Sequence, residues 1–151
     1  MKIGSIDIGL GLVLAPVAGV TDSPFRLLCK RNGADLVYTE LVSSAALTRN
    51  PGRSARYFAM AAGEHPVTAQ IFGRDPGEMA EAAAILSGHG ADLIDINMGC
   101  PVKKVIRSGA GAALLRDLPR ARAIIRAVTD ITPLPVTVKC RSGWDHHDFS
   151  A

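Results

Sequence analysis

Short apolar runs alternate with helically spaced segments along the whole chain, and each run closes on polar or turn-forming residues. That alternation is the pattern of β/α units around a parallel sheet. Five strands are predicted, over residues 12–15, 36–38, 67–71, 93–96 and 136–139, with a short strand or hairpin over 2–10 ahead of them. Helix signals fall between the strands. Ser23-Pro24 offers an N-cap followed by proline at the first helical position, and Asn32-Gly33 offers a stop. Asp75-Pro76-Gly77-Glu78 repeats the start, and His89-Gly90 ends that helix. A third helix is predicted over 118–128, with Pro119 near its start and Ile124, Ile125 and Val128 on one face.

The strand ends gather the polar and turn residues: Pro16-Val17-Ala18-Gly19, Thr39-Glu40, Gln70 with Gly73, Asn97 to Cys100, and Lys139 with Arg141. In a closed eightfold barrel that rim carries the active site, but such a barrel takes ~250 residues and five strands do not close it. Two readings follow, a self-sufficient open sheet or the front part of a longer barrel. Residues 143–151 read as a loop rather than a finished helix, which favours a fragment.

Composition places the chain among globular domains: 151 residues, 48% hydrophobic and 21% charged, enough for one ordinary core. The net charge of +3 is mild, so its distribution says more. Between Lys103 and Arg126 seven basic residues stand against one acid, Asp117, as a solvated helix face or a polyanion contact. Cys29, Cys100 and Cys140 are too widely spaced for a disulfide framework or a zinc site. No metal is expected, and a reducing cytoplasm is the simplest setting. The apolar stretch 9–20 follows Asp7 and is interrupted by Pro16, unlike a signal peptide. No run approaches the ~20 apolar residues of a membrane span, so no membrane association is expected.

The densest chemistry is Asp95-Ile96-Asn97-Met98-Gly99-Cys100-Pro101, an amide and a thiol at the exit of an apolar strand. Cys100 has a bland reading as buried filler, since free cysteines are often buried. The following loop, with Lys103, Lys104, Arg107 and Gly109, has the composition of an exposed segment, which weakens that reading.

Four segments then resemble tRNA-dihydrouridine synthases, especially the bacterial DusB-like group. They are Leu14-Ala15-Pro16-Val17-Ala18-Gly19-Val20-Thr21-Asp22, Gln70-Ile71-Phe72-Gly73, Asp95-Ile96-Asn97-Met98-Gly99-Cys100-Pro101-Val102-Lys103-Lys104, and Val138-Lys139-Cys140-Arg141-Ser142-Gly143-Trp144. The resemblance covers essentially the whole chain, in order and spacing. It implies an α/β fold of (β/α)8 TIM-barrel type, with about the first five β/α units in residues 1–151. It also implies FMN as cofactor, NADPH as reductant and tRNA as partner. By the same resemblance Pro16, Val17 and Ala18 pack on the flavin, Gln70 and Lys139 bond its ring, and Asn97 holds the uracil. Arg141, Lys103 and Lys104 lie toward the RNA, and Cys100 is the catalytic proton donor.

The residue types suit that chemistry. Hydride adds to C6 of the uracil and an acid must protonate C5; an unperturbed thiol, pKa ~8.5, is mostly protonated at neutral pH. A lysine at a strand end can stabilise negative charge on the reduced ring, or simply reach solvent. Gln70 could merely finish a strand, and Trp144 could pack rather than stack on RNA. Val17 stands where methionine is common, and Cys140, where isoleucine is common, is expected in the core. The later strands of the implied barrel, its glycine-rich phosphate site and the helical tRNA-binding domain are missing from these residues. Unpaired sheet edges and little activity of the 151-residue chain alone are therefore expected. Two other readings stay open: another FMN barrel oxidoreductase, or a noncatalytic chain that binds RNA through its basic helices.

Overall fold

The computed structural model describes residues 1–145, the Ala55 side chain excepted; residues 146–151, most of the expected C-terminal loop, lie outside the described residues. The chain opens with an antiparallel hairpin, β1 (Lys2–Ile3) and β2 (Ile6–Asp7). Then come α1 (Ser23–Arg31), β3 (Val37–Tyr38), β4 (Val42–Ser43), α2 (Ser44–Arg49) and α3 (Pro51–Phe58). β5 (Val67–Phe72), α4 (Pro76–Gly88), β6 (Leu93–Met98), α5 (Lys103–Arg107), α6 (Leu118–Ile131) and β7 (Val136–Cys140) complete the order. Short 3₁₀ turns occupy Ala62–Glu64 and Gly111–Arg116.

Helix starts follow their side chains. Asp75 caps α4 by accepting from the Glu78 amide, and Asp117 caps α6 by accepting from the Arg120 amide. For α1 the cap is Asp22, not Ser23: its carboxylate accepts from the Phe25 amide, and Ser23 is already helical. The first predicted strand, 12–15, is reduced to one bridge from Val13 to Leu36. Leu12 and Val13 are exposed there, so burial does not hold the run flat against a neighbour. The fourth strand extends to Met98, so Asn97 stands on the sheet rather than in the loop. Helices α2, α3 and α5 fall where no helix was expected; they are short, at six, eight and five residues.

The main sheet is all parallel. β3 and β4 pair with successive parts of β5, β5 pairs with β6, and β6 with β7. Spatial order therefore follows chain order. A doubly wound open sheet reverses direction at a switch point; this curled sheet does not, which is consistent with part of a barrel. One face of the strands, with Ala69, Ile71, Ile94 and Ile96, is fully buried against Met79, Ala82 and Leu86 of α4 and Ile124 and Val128 of α6. Each isoleucine, leucine, valine or methionine among them contributes roughly 1.5–3 kcal/mol.

The opposite face is layered. Leu36 and Leu93 pack with Ile8 and the hairpin residues Ile3 and Ile6, closing the end where the strands begin. Above that apolar plug the register aligns Gln70 with Asp95, Asp95 with Thr137, and Asn97 with Lys139. Beyond β6, β7 has no second strand neighbour among the described residues. Cys140, expected in the core, is consequently exposed. No helix among the described residues is long and apolar enough to cross a membrane.

Candidate functional site

A cavity of about 380 Å³ opens at the strand ends, where Pro16, Val17, Ala18, Gln70, Asn97, Cys100, Lys139 and Arg141 meet. Residues from the start of the chain and from its last described strand thus share one wall. Lys103 and Lys104 do not line it. They are exposed at the start of α5, immediately after Pro101 and Val102, which do.

Each lining segment is held from behind. Thr21, fully buried, accepts from the Val17 amide at 3.2 Å and donates to the Val17 carbonyl at 3.1 Å, folding the 16–19 loop on itself. Glu40 accepts the Gly19 amide at 2.5 Å and ties the same loop to the next strand end. Asn97 Oδ1 accepts the backbone amides of Gly99 at 3.2 Å and Cys100 at 2.9 Å. The Cys100 carbonyl accepts from Ala112 at 3.1 Å. That approach requires Gly111: its φ is +60°, and a Cβ there would meet the Cys100 oxygen at 2.8 Å. Arg141 Nε donates to the Gly99 carbonyl at 2.8 Å, bracing the thiol loop from the other side.

Beneath the cavity lies a polar network that the sequence did not disclose. Asp95, 1% exposed, accepts the Thr137 hydroxyl at 2.6 Å and Gln70 Nε2 at 2.7 Å; Asn97 Nδ2 donates to Gln70 Oε1 at 3.2 Å. A charged residue inside the apolar run 93–96 was the available signal. Burial pushes the Asp95 carboxyl above its ordinary value, while the bonds from Thr137 and Gln70 and the charge of Lys139 pull it back. Burial, followed by the charge of Asp95, raises Tyr38 as well.

The raised carboxyl makes a stability prediction with a definite sign. The folded state binds this proton more tightly than the unfolded chain, so the contribution of Asp95 to stability falls as pH rises. The fall begins near the ordinary value of about 3.9 and ends above the raised one. Asp95→Asn is therefore expected to melt higher than the parent at neutral pH, with the gap closing toward pH 3. Thermal melts from pH 3 to 8 check this; a gap that does not change with pH contradicts it.

The remaining expected features are placed as follows. Arg116 lies over the half-buried Trp144 ring, 5.2 Å from its centroid. Cys29, Cys100 and Cys140 are free thiols. Among the described residues no cluster of histidine, cysteine and carboxylates could hold a metal. A larger hollow of about 440 Å³ is lined by Arg74, Arg120, Asp75 and Glu78, and contains none of the expected site residues.

Comparison with known proteins gives the arrangement a context. A family model described as dihydrouridine synthase matches residues 13–151. A tRNA-dihydrouridine synthase B of Xanthomonas axonopodis pv. citri is 47% identical over 145 residues, 96% of this chain and 44% of its own length. A probable tRNA-dihydrouridine synthase of Rhizobium leguminosarum bv. phaseoli is 49% identical over 140 residues, 93% of this chain and 44% of its own. The synthase B of Pseudomonas aeruginosa is 46% identical over 145 residues. The chain spans about 44% of the length of these curated relatives.

Proposed function

This chain belongs to the dihydrouridine synthase family, and from that premise we propose that it is the N-terminal portion of the FMN-binding barrel of a cytoplasmic tRNA-dihydrouridine synthase. The observation that carries the reading is that a thiol, an amide and a strand-end lysine line one cavity together with the apolar segment 16–18.

The residues present fit a flavin ring. Pro16, Val17 and Ala18 form an apolar surface for its face, and Gln70 and Lys139 supply donors for its carbonyl and ring-nitrogen edge. Bound there, FMN would supply hydride drawn from NADPH for C6 of a tRNA uridine. Asn97 holds the uracil through its free N–H, and Cys100 delivers the proton to C5 from the opposite face. Lys139 counters negative charge on the ring edge. Arg141, which also braces the loop, and exposed Lys103 and Lys104 meet phosphates flanking a uridine turned out of its stack.

The test is a chimera that completes residues 1–145 with the remaining length of one of the curated relatives. It is expected to bind FMN, consume NADPH and add two mass units to uridines of unmodified tRNA. A chimera whose flavin responds to free dihydroorotate and not to tRNA would assign it to a different flavin chemistry.

A further inference from the structure

The polar chain under the cavity has a direction, fixed from both ends. Asn97 Oδ1 is taken by the backbone amides of Gly99 and Cys100, so its Nδ2 faces Gln70. At the other end, a carboxylate can only accept. Asp95 takes the Thr137 hydroxyl on Oδ1 and Gln70 Nε2 on Oδ2. Gln70 Oε1 is left to accept from Asn97. A Gln70 amide turned over would set its oxygen against the carboxylate and its NH₂ against that of Asn97, two buried mismatches. Each amide thus keeps one N–H to spare, and both residues line the cavity. At the exposed rim Lys139 and Arg141 also carry donors and no acceptor, and the Cys100 thiol is only a weak donor and weak acceptor.

We infer that Asp95 is a specificity-determining positioning residue: through Gln70 it makes the buried wall of the cavity donor-only, so that the cavity takes a planar ring presenting carbonyl or imine acceptors there. The inference rests on the flavin and uridine reading of the cavity and deepens it. Asp95 touches neither ring; it selects between them and their amino-bearing analogues by fixing what Gln70 shows.

The experiment reads the side-chain amide first. In the ¹⁵N-labelled chain the Gln70 amide proton facing Asp95 is expected to exchange slowly. Asp95→Leu is expected to speed that exchange about tenfold or more, and Asp95→Asn, whose oxygen still accepts, to preserve it. Asp95→Leu leaves the Thr137 hydroxyl and the Gln70 N–H without their acceptor, about 1–3 kcal/mol each, so the asparagine variant, which keeps an acceptor oxygen, serves if the leucine chain does not fold. FMN affinity is read next, in the chimera. Asp95→Leu and Gln70→Ala are each expected to weaken it about tenfold, the worth of one hydrogen bond, and the leucine to add nothing once Gln70 is alanine. A fast-exchanging Gln70 amide in the parent, or an equal loss from Asp95→Leu with and without the Gln70 side chain, overturns the inference. Failure of the parent chimera to bind FMN counts against the flavin reading, while the exchange rates still decide what Asp95 does to Gln70.

Discussion

Alanine in place of Cys100 is expected to slow uridine reduction by about 10²–10⁴-fold, the usual worth of a positioned acid, while the half-reaction in which NADPH reduces the flavin keeps its parental rate. The separation follows from how the loop is held. Asn97, Ala112 and Arg141 grip the backbone around Cys100 rather than its side chain, so removing the sulfur deletes the proposed acid and leaves its seat. Serine should recover little, because a hydroxyl is a much weaker acid than a thiol. Single-turnover assays of the chimera on unmodified tRNA, beside stopped-flow measurement of flavin reduction, check both halves. Parental uridine reduction by Cys100→Ala would remove the proton-donor role.

Glu64→Ala is expected to cost about 3–5 kcal/mol of folding stability, because it strands a buried guanidinium. Arg26 is 1% exposed and Glu64 fully buried, with Nε and Oε2 2.6 Å apart. The same Arg26 donates through Nη1 to the Thr21 carbonyl at 2.6 Å and through Nη2 to the Ala59 carbonyl. Glu64 also accepts from the Ser23 hydroxyl and from the Ala61 amide. Since Thr21 folds the loop that carries Pro16, Val17 and Ala18, losing the clasp should loosen that wall too. Replacing both partners together, Arg26→Met with Glu64→Leu, should restore most of the loss, because no unpaired charge remains. Urea unfolding of the three chains gives the comparison. A loss below about 1 kcal/mol for Glu64→Ala would put this pair in the range of exposed salt bridges.

The strands at 67–71, 93–96 and 136–139 were legible because their apolar runs are bounded by turn residues, and the folded chain extends each by one or two positions. The run at 12–15 carried the same pattern and failed to pair beyond one bridge, since a hydrophobic run becomes a strand only when a neighbour covers it. Short helices such as α5 escaped because one or two turns leave too few positions for a period to show. Of the site, Cys100 and Asn97 stood out through their constrained turn. Gly111, which lets the backbone close on Cys100, was hidden in a run of small residues.

The sequence alone determined the alternation of units, the helix starts at Asp75 and near Leu118, and which residue types could do redox and acid chemistry at the strand ends. Those are local properties, set by spacing and by side chains that bond amides three residues away. Tertiary structure alone decided that residues 16–18 and 139 share a wall, that Cys140 is exposed, and that Asp95 faces Gln70 rather than water. Register between strands sets these, and register is fixed by the packing of the whole apolar face against α4 and α6. A carboxylate in an apolar run has no direction until that packing chooses which side of the sheet it occupies.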